Sequence, residues 1–209
     1  MSHQSRAAII LDGADETGLS ANYLDKATQS TLIEYVLDSV WTVADQIYVI
    51  FSKEPDLKLV ESIAPFGVKI IVQGRRSSSL SSLATGLNAV QSESVFIIPS
   101  TVPFIKPNVI FALFDGARNH DAAIPRWSDG RIEPLLSVYA RKALLKVIPT
   151  RPRGRIESLV DNLYAIRYIG IEDELKSLDP DLYSFFYVKS RKDLPKARRI
   201  ASLALRHPK

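Results

Sequence analysis

The chain has 209 residues, of which 46% are hydrophobic and 24% charged, and its formal net charge is +4. This length fits one domain with a buried core, and the composition is typical of a globular protein. The chain has no cysteine and only three histidines, which excludes disulfides, thiolate zinc sites and cysteine nucleophiles. No apolar run approaches the roughly 20 residues of a membrane span, and the N-terminus does not resemble a signal peptide. We therefore expect a cytoplasmic protein without a membrane partner.

The apolar pattern alternates strands with helices along the chain. Continuous apolar runs indicate buried strands, and apolar residues three and four apart indicate helices with one buried face. In chain order we predict a strand over 6–12, a helix over 31–41, strand 46–51, helix 56–63, strand 68–72, helix 80–90, strand 95–98, helix 107–114, strand 122–125, a longer strand over 132–139 and a helix over 141–147.

Buried strands joined by helices predict a three-layer α/β/α fold around a mostly parallel, Rossmann-like sheet. Since no change of composition divides the chain, we expect a single domain over residues 1–209. Trp41 ends an apolar helical face and is predicted to lie in the core. Residues 192–199 predict a surface helix, and Trp127 is expected either to pack or to cover a ligand.

Three loops of the predicted sheet are candidates for a ligand site. In open α/β sheets ligands bind beyond the carboxyl ends of the strands. That rule selects the loops after Leu11, after Val72 and after Ile98. The position of these loops indicates where a ligand binds, but not which reaction takes place there.

The first loop, residues 11–26, has the composition of an anion site that needs a cation. Gly13 and Gly18 allow backbone N–H groups to turn toward a phosphate. The loop contains neither GK[ST] nor GxGxxG, so it is neither a P-loop nor a dinucleotide-binding turn. A bare triphosphate would be repelled by three carboxylates, those of Asp12, Asp15 and Glu16. The alternative is an acidic surface loop without a ligand.

Blocks spread over nearly the whole chain resemble those of one family, the molybdenum cofactor guanylyltransferases, which are MobA-like nucleotidyltransferases. LDGA from Leu11 is similar to LAGG, LIEYVL from Leu32 to LIExVL, SSLSSLATGL from Ser78 to GPLxGIxxGL, VFIIPSTVPF from Val95 to WVLVLACDMPF, DGRIEPL from Asp129 to DGRxEPL, and FFYVKSRKDL from Phe185 to FxNINTPEDL. The blocks follow one another in the family's order.

The resemblance implies a fold, a reaction and its participants. The fold is that of the nucleotide-diphospho-sugar transferases. The reaction transfers a nucleotidyl group from a nucleoside triphosphate, GTP, to a phosphorylated cofactor such as molybdopterin and releases pyrophosphate. Mg²⁺ is the implied cofactor. A protein of cofactor assembly is an implied partner.

The resemblance also implies roles for individual residues. Nucleotide binding falls to Leu11, Asp12, Gly13, Ala14, Ser78, Ser79 and Thr101. The cation that faces the leaving pyrophosphate is Lys26, with Arg75 or Arg76 as alternatives. The acceptor would contact Asp129 and Glu133.

The sequence departs from the family pattern at charged positions. The first loop has no arginine, and the family's lysine falls on Asn22 when the alignment is read back from Leu32 without a gap. The aspartate that ligates Mg²⁺ in the family falls on Thr101, and the two asparagines of NIN fall on Tyr187 and Lys189. Metal ligation then passes to another carboxylate, with three candidates in Asp12, Asp15 and Asp25.

Three interpretations follow from these departures. The chain is an active transferase with a rearranged site, or it is a degenerate relative that binds a nucleotide, cofactor or partner protein without turnover. The third interpretation is a basic module associated with nucleic acid, because basic residues cluster at 151–155 and 189–209. Neither cluster is interleaved with the aromatic side chains that stack on single-stranded bases, so nucleic acid is the least favoured partner.

Overall fold

The computed structural model describes residues 5–12, 30–74, 78–148 and 156–206. These residues form a mostly parallel sheet with helices on both faces. The strands are β1 (Arg6–Asp12), β2 (Gln46–Phe51), β3 (Lys69–Val72), β4 (Ser94–Pro99), β5 (Ala122–Arg126), β6 (Ser137–Ala140) and β7 (Ile166–Gly170). Their order across the sheet is β3-β2-β1-β4-β6-β5-β7, and β6 is antiparallel to both of its neighbours. The predicted α/β fold with a mostly parallel, Rossmann-like sheet is confirmed.

Helices cover both faces of this sheet. They are α1 (Leu32–Trp41), α2 (Leu57–Ile63), α3 (Ser79–Ala89), α4 (Pro107–Gly116), α5 (Arg141–Val147), α6 (Glu157–Val160) and α7 (Leu194–Arg206). Because successive strand residues point to opposite faces, Ile10 packs in the core of α1 and α4, whereas Ile9 packs in the core of α3 and α5. None of the helices in the described ranges combines the length and apolar character that a bilayer crossing requires.

Local sequence signals fix where these helices begin. At the start of α1, Glu34 N–H donates to Thr31 Oγ1 at 3.4 Å, while Thr31 N–H donates to the Glu34 carboxylate at 2.7 Å. This reciprocal pair is a capping box.

Helix α3 lies close to β1: a Cβ at Gly86 would stand only 2.9 Å from Ile9 Cδ1. Glycine at this position therefore sets the distance between α3 and the sheet.

Two predicted elements differ from the structure. The long strand predicted over 132–139 is wrong: β6 comprises only residues 137–140, and Leu136 N–H donates to Glu133 C=O in a turn. Ile132 forms an isolated antiparallel bridge with Arg126, and the apolar side chains at 135 and 136 pack from the turn that follows. Strand β7 was not predicted, because the charged residue Arg167 interrupts its short apolar run.

One expectation about helix burial is corrected and one is confirmed. Trp41 is 59% exposed, so its placement in the core was wrong: it lies at the last residue of α1, beyond the buried stripe. The surface helix predicted over 192–199 is confirmed from residue 194 onward, where α7 begins; most of its side chains to 199 are exposed and one face is buried. Ala197 and Ile200 pack with Phe104 and Val188 in a small separate cluster.

Candidate functional site

The candidate site lies at one edge of the sheet. Strands β1, β2, β3, β4 and β5 all point the same way, so their carboxyl ends share this edge. Asp12 ends β1, Thr101 follows β4, and Trp127 follows β5. Ser78 lies between β3 and α3 at the same edge. The three strands that precede the selected loops, β1, β3 and β4, therefore end at the same edge of the sheet.

Asp12 is fixed by its neighbour across the sheet. Ser100 Oγ donates to Asp12 Oδ1 at 2.5 Å, and Ser100 N–H donates to Leu11 C=O at 3.1 Å. Ser100 is 1% exposed, so this hydroxyl is held inside the edge. Leu11 itself is buried in the core beside α3, which leaves its backbone as the group nearest the site. A carboxylate is thus oriented at the end of the central strand.

The loop that follows Asp12 lies outside the described residues. Gly13, Ala14 and Lys26 belong to it, so the structure gives no position for these three predicted site residues. The same holds for Asp15 and Asp25 and for the alternative cations at 75 and 76. Their roles stay predictions.

Ser78 and Ser79 mark the start of α3. The Ser78 hydroxyl accepts a hydrogen bond from Ser81 N–H at 3.2 Å, which makes Ser78 the N-cap of the helix. Ser79 is the first helical residue and is partly buried. The backbone N–H groups of a helical first turn favour anions. The predicted nucleotide-binding role of both serines fits this position and stays a prediction.

Thr101 joins the edge to the C-terminal part of the chain. Its carbonyl oxygen accepts a hydrogen bond from Val188 N–H at 2.9 Å. This bond holds residues 187–189, the segment that resembles NIN, beside the end of β4. The side chain of Thr101 is neutral and partly buried, so it offers a hydroxyl where the resemblance places a carboxylate.

A cleft of about 440 Å³ lies beyond the end of β5. Its walls include Trp127, Glu133, Phe185 and Tyr187. The turn after Trp127 closes when Gly130 N–H donates to Trp127 C=O at 2.9 Å, with Gly130 at a φ of +89°. Glycine adopts this positive φ without strain, which explains the glycine of the DGR block.

Glu133 lines the cleft and accepts hydrogen bonds from one donor nearby in the sequence and one from the C-terminal part of the chain. Trp127 Nε1–H donates to Glu133 Oε1 at 2.8 Å, and the Tyr187 hydroxyl donates to Oε2 at 2.7 Å. Burial raises the pKa of Tyr187 well above its ordinary value, and the negative charge of Glu133 raises this pKa further. Tyr187 therefore remains a neutral donor, and the carboxylate of Glu133 keeps a fixed orientation.

Two cationic side chains line the same cleft, Arg131 and Lys189. The Arg131 guanidinium lies over the Trp127 ring at 5.3 Å from its centroid. Asp129 accepts from Arg131 Nε at 2.7 Å, and this hydrogen bond holds the pKa of the exposed Asp129 carboxyl below its usual value. Lys189 Nζ lies 5.8 Å from the centroid of the Tyr187 ring and makes no ion pair with any described residue.

The two predicted acceptor residues thus occupy different places. Glu133 lines the cleft, whereas Asp129 is exposed beside it and orients Arg131. Reasoning from sequence missed Ser100, and it gave no role to Tyr187 beyond noting a departure from NIN. A hydrogen bond between residues 133 and 187 spans 54 positions, which no local pattern reveals.

Hard oxygen ligands for a divalent cation are scarce in the described residues. No group of three or more Asp, Glu, His or Cys side chains is clustered there. Asp12 is one oriented carboxylate at the edge, and Mg²⁺ prefers such oxygen ligands. Among the described residues, Asp12 could therefore supply one ligand to a divalent cation.

The mostly parallel sheet with helices on both faces is the Rossmann-like α/β fold, and this defines the fold class of the protein. Residues 24–165 match the MobA-like NTP transferase domain, and the chain belongs to that family. The resemblance stated from the sequence is thereby confirmed.

Relatives support the same assignment. A protein of Methanosarcina acetivorans, named a "probable molybdenum cofactor guanylyltransferase", is 28% identical over 91% of this chain and 89% of its own length. A molybdenum cofactor guanylyltransferase of Desulfosudis oleivorans is 30% identical over 80% of each chain. The solved structure of molybdopterin-guanine dinucleotide biosynthesis protein A from Archaeoglobus fulgidus has a TM-score of 0.71 at 24% identity and covers 95% of this chain and 99% of its own. At that identity the structural likeness concerns the fold.

Proposed function

We propose that the protein transfers a guanylyl group from GTP to a phosphorylated pterin cofactor of the molybdopterin type. A phosphate oxygen of the acceptor forms a bond to the α-phosphorus of GTP, the bond from that phosphorus to the oxygen bridging to the β-phosphorus breaks, and pyrophosphate leaves. The observation that carries this proposal is the pairing of two features at one sheet edge: the oriented Asp12 carboxylate and the cleft around Glu133. Membership of the MobA-like family and the names of the relatives support it.

The proposed nucleotide side lies along β1, β3 and β4. Triphosphate and base contact the backbone of the 11–14 segment, the start of α3 at Ser78 and Ser79, and the hydroxyl of Thr101. Lys26, or Arg75 or Arg76, neutralises the leaving pyrophosphate. Fixed positive groups at the place where charge develops lower the barrier of such transfers.

A divalent cation, Mg²⁺, belongs to this proposal. Asp12 would hold it, with Asp15 or Asp25 as further ligands. A bound Mg²⁺ polarises phosphoryl oxygens and offsets the charge of pyrophosphate. The bond between Ser100 and Asp12 supports this role because it orients the carboxylate before any ligand arrives.

The proposed acceptor side is the cleft beyond β5. Glu133 contacts the acceptor from the back of the cleft, and Asp129 acts through Arg131. In this proposal the reaction takes place in the cytoplasm. Its protein partners are those that supply the acceptor and receive the dinucleotide.

Thermal unfolding and calorimetric titration with GTP, CTP and ATP, each with and without Mg²⁺, test the nucleotide side first. A ligand present at a hundred times its Kd raises the free energy of unfolding by about 2.7 kcal/mol. The turnover test adds molybdopterin to GTP and follows pyrophosphate release and the mass of the dinucleotide product. We expect magnesium-dependent binding of GTP and turnover.

The same experiment separates the second candidate function, a relative that binds without turnover. Thr101 in place of a carboxylate and the absence of arginine from residues 11–26 are the observations that favour it. Binding of GTP without product would establish that function. No binding of any triphosphate would overturn both.

A further inference from the structure

The carboxylate of Glu133 has hydrogen-bonding capacity that the protein does not use. A carboxylate offers about four acceptor positions on its two oxygens. Trp127 and Tyr187 occupy one position on each oxygen, and the side chain lines the cleft. One further donor can therefore bind each oxygen. The two fixed donors also prevent the carboxylate from rotating to suit other geometries.

A rigid carboxylate with one open position on each oxygen matches a ligand that presents two parallel N–H groups. The 2-amino-4-oxopyrimidine edge has this form, because its exocyclic amine and its ring N–H point the same way. Hydrogen bonds to an ionised acceptor are stronger than neutral ones. A 2,4-dioxo ring has an oxygen in place of the amine and would bring a second acceptor against the carboxylate.

Aromatic side chains and cations complete this complementarity. Trp127 and Phe185 lie edge to face, with centroids 5.6 Å apart, and form an apolar wall against which a planar ring packs. Lys189 lines the cleft and directly follows Val188, whose N–H donates to the Thr101 carbonyl just after β4. A ligand with its ring at Glu133 and a phosphate at Lys189 would thus direct the phosphate toward the end of β4.

We infer that Glu133 selects the acceptor by accepting two hydrogen bonds from the 2-amino-4-oxopyrimidine edge of a pterin, while Lys189 binds the acceptor's phosphate. This assignment rests on the proposed function for the identity of the acceptor. The guanine of GTP presents the same edge. The pterin is favoured because the cleft lies beyond β5, whereas Asp12 and Ser78 lie at β1 and α3 on the other side of β4 and β6.

Binding of pterin probes, without any triphosphate, tests the inference. The probes are 6-hydroxymethylpterin monophosphate, its unphosphorylated form and the corresponding lumazine monophosphate, in which an oxo group replaces the 2-amino group. Binding in these titrations is measured by calorimetry or by pterin fluorescence. For the wild-type protein we expect about a tenfold or greater preference for the pterin over the lumazine. Equal affinities would overturn the inference without any variant.

Glu133→Gln is the main variant, and Glu157→Gln is its matched control because Glu157 lines the same cleft. We expect Glu133→Gln to weaken pterin monophosphate binding by about ten to a hundredfold and to abolish the preference over lumazine. Glu157→Gln should keep the preference. A role of Glu133 limited to holding Trp127 and Tyr187 would weaken both probes equally and would contradict the inference.

The role of Lys189, and the alternative that guanine and not a pterin binds Glu133, are tested in the same titrations. Lys189→Met should remove the advantage of the phosphorylated over the unphosphorylated pterin and leave the preference over lumazine. GMP should not displace the pterin; displacement that depends on Glu133 would assign the edge to the nucleotide and overturn the acceptor assignment. Because these titrations contain no triphosphate, their outcome is independent of whether GTP turnover is found.

Discussion

The hydroxyl of Ser100 donates to the carboxylate of Asp12 across 2.5 Å, joining the last residue of β1 to the residue that follows β4. The two strands are paired in parallel, with Leu11 opposite Pro99. The bond therefore lies one step beyond the last pair of the ladder, where the sheet opens to the site. It orients a charge that the strand register alone would leave free to rotate.

Replacing Asp12 with Asn tests whether this charge, and not only its position, is used. Asn keeps an oxygen that accepts from Ser100 but carries no negative charge. We expect Asp12→Asn to abolish the magnesium dependence of GTP binding and to lower kcat by about two to three orders of magnitude. Ser100→Ala is the matched control: it keeps the charge and loses one orienting bond, so we expect a loss of about tenfold or less. Equal losses in the two variants would mean that orientation, and not charge, is what the site needs.

Thr101→Asp introduces a carboxylate at the position where the family resemblance places a metal ligand. Thr101 follows β4 at the same edge as Asp12, and its backbone is fixed by Val188. A second carboxylate adds an oxygen ligand of the kind that Mg²⁺ prefers. We expect tighter Mg²⁺ binding and a higher rate of guanylyl transfer at limiting Mg²⁺, measured by pyrophosphate release. Thr101→Asn, which is similar in size and neutral, should produce neither change.

Much of the fold follows from the sequence because its signals are local and periodic. Strands β1, β2 and β4 are buried on both faces, and their sequences are continuous apolar runs. Strand β7 could not be predicted, because it pairs with β5 at the edge of the sheet and contains a charged residue. Its strand conformation depends on this pairing and not on its own five residues.

The candidate site could be anticipated only where a motif marks it. The resemblance to DGRxEPL pointed to Glu133, which lines the cleft, and the strands that precede the three selected loops end at one edge of the sheet. The sequence could not predict that Tyr187 donates to Glu133, because this hydrogen bond depends on how the C-terminal segment packs near the end of β5. Lys189 was noted as a departure, and only the structure places it in the cleft.

Asp179 anchors the segment that brings Phe185 and Tyr187 to the cleft. Its carboxylate is fully buried, forms an ion pair with Lys106 at 3.0 Å and accepts from Ser184 N–H at 2.7 Å. Asp179→Ala leaves the buried Ser184 N–H without its acceptor, whereas the partly exposed Lys106 can be hydrated, so we expect the free energy of unfolding to fall by about 1 to 3 kcal/mol. Chemical denaturation measures this.

The exposed pair between Asp115 and Arg118 supplies the control for Asp179. Exposed ion pairs contribute little to stability, so Asp115→Ala should cost about 0.5 kcal/mol or less. Asp179→Asn keeps an oxygen for Ser184 N–H and should cost less than the alanine variant. An alanine variant as stable as the wild type would show that the Asp179 contacts contribute nothing to the fold.

Tyr187 makes the stability of the protein depend on alkaline pH. Burial and the charge of Glu133 raise the pKa of Tyr187 well above its ordinary value of 10.0. Above pH 10.0 the unfolded chain releases this proton while the folded protein retains it, so the folded state binds more protons and its stability falls as pH rises. Tyr187→Phe should lower stability at pH 8 by about 1 to 2 kcal/mol through the lost hydrogen bond to Glu133. Between pH 10 and 11 its stability should fall less steeply than that of the wild type.

Urea denaturation at half-unit intervals of pH compares the two slopes; parallel slopes would show that the Tyr187 proton is not retained on folding. Tyr139, whose pKa is also raised by burial, contributes a slope that both proteins share, so only the difference between them reports on Tyr187.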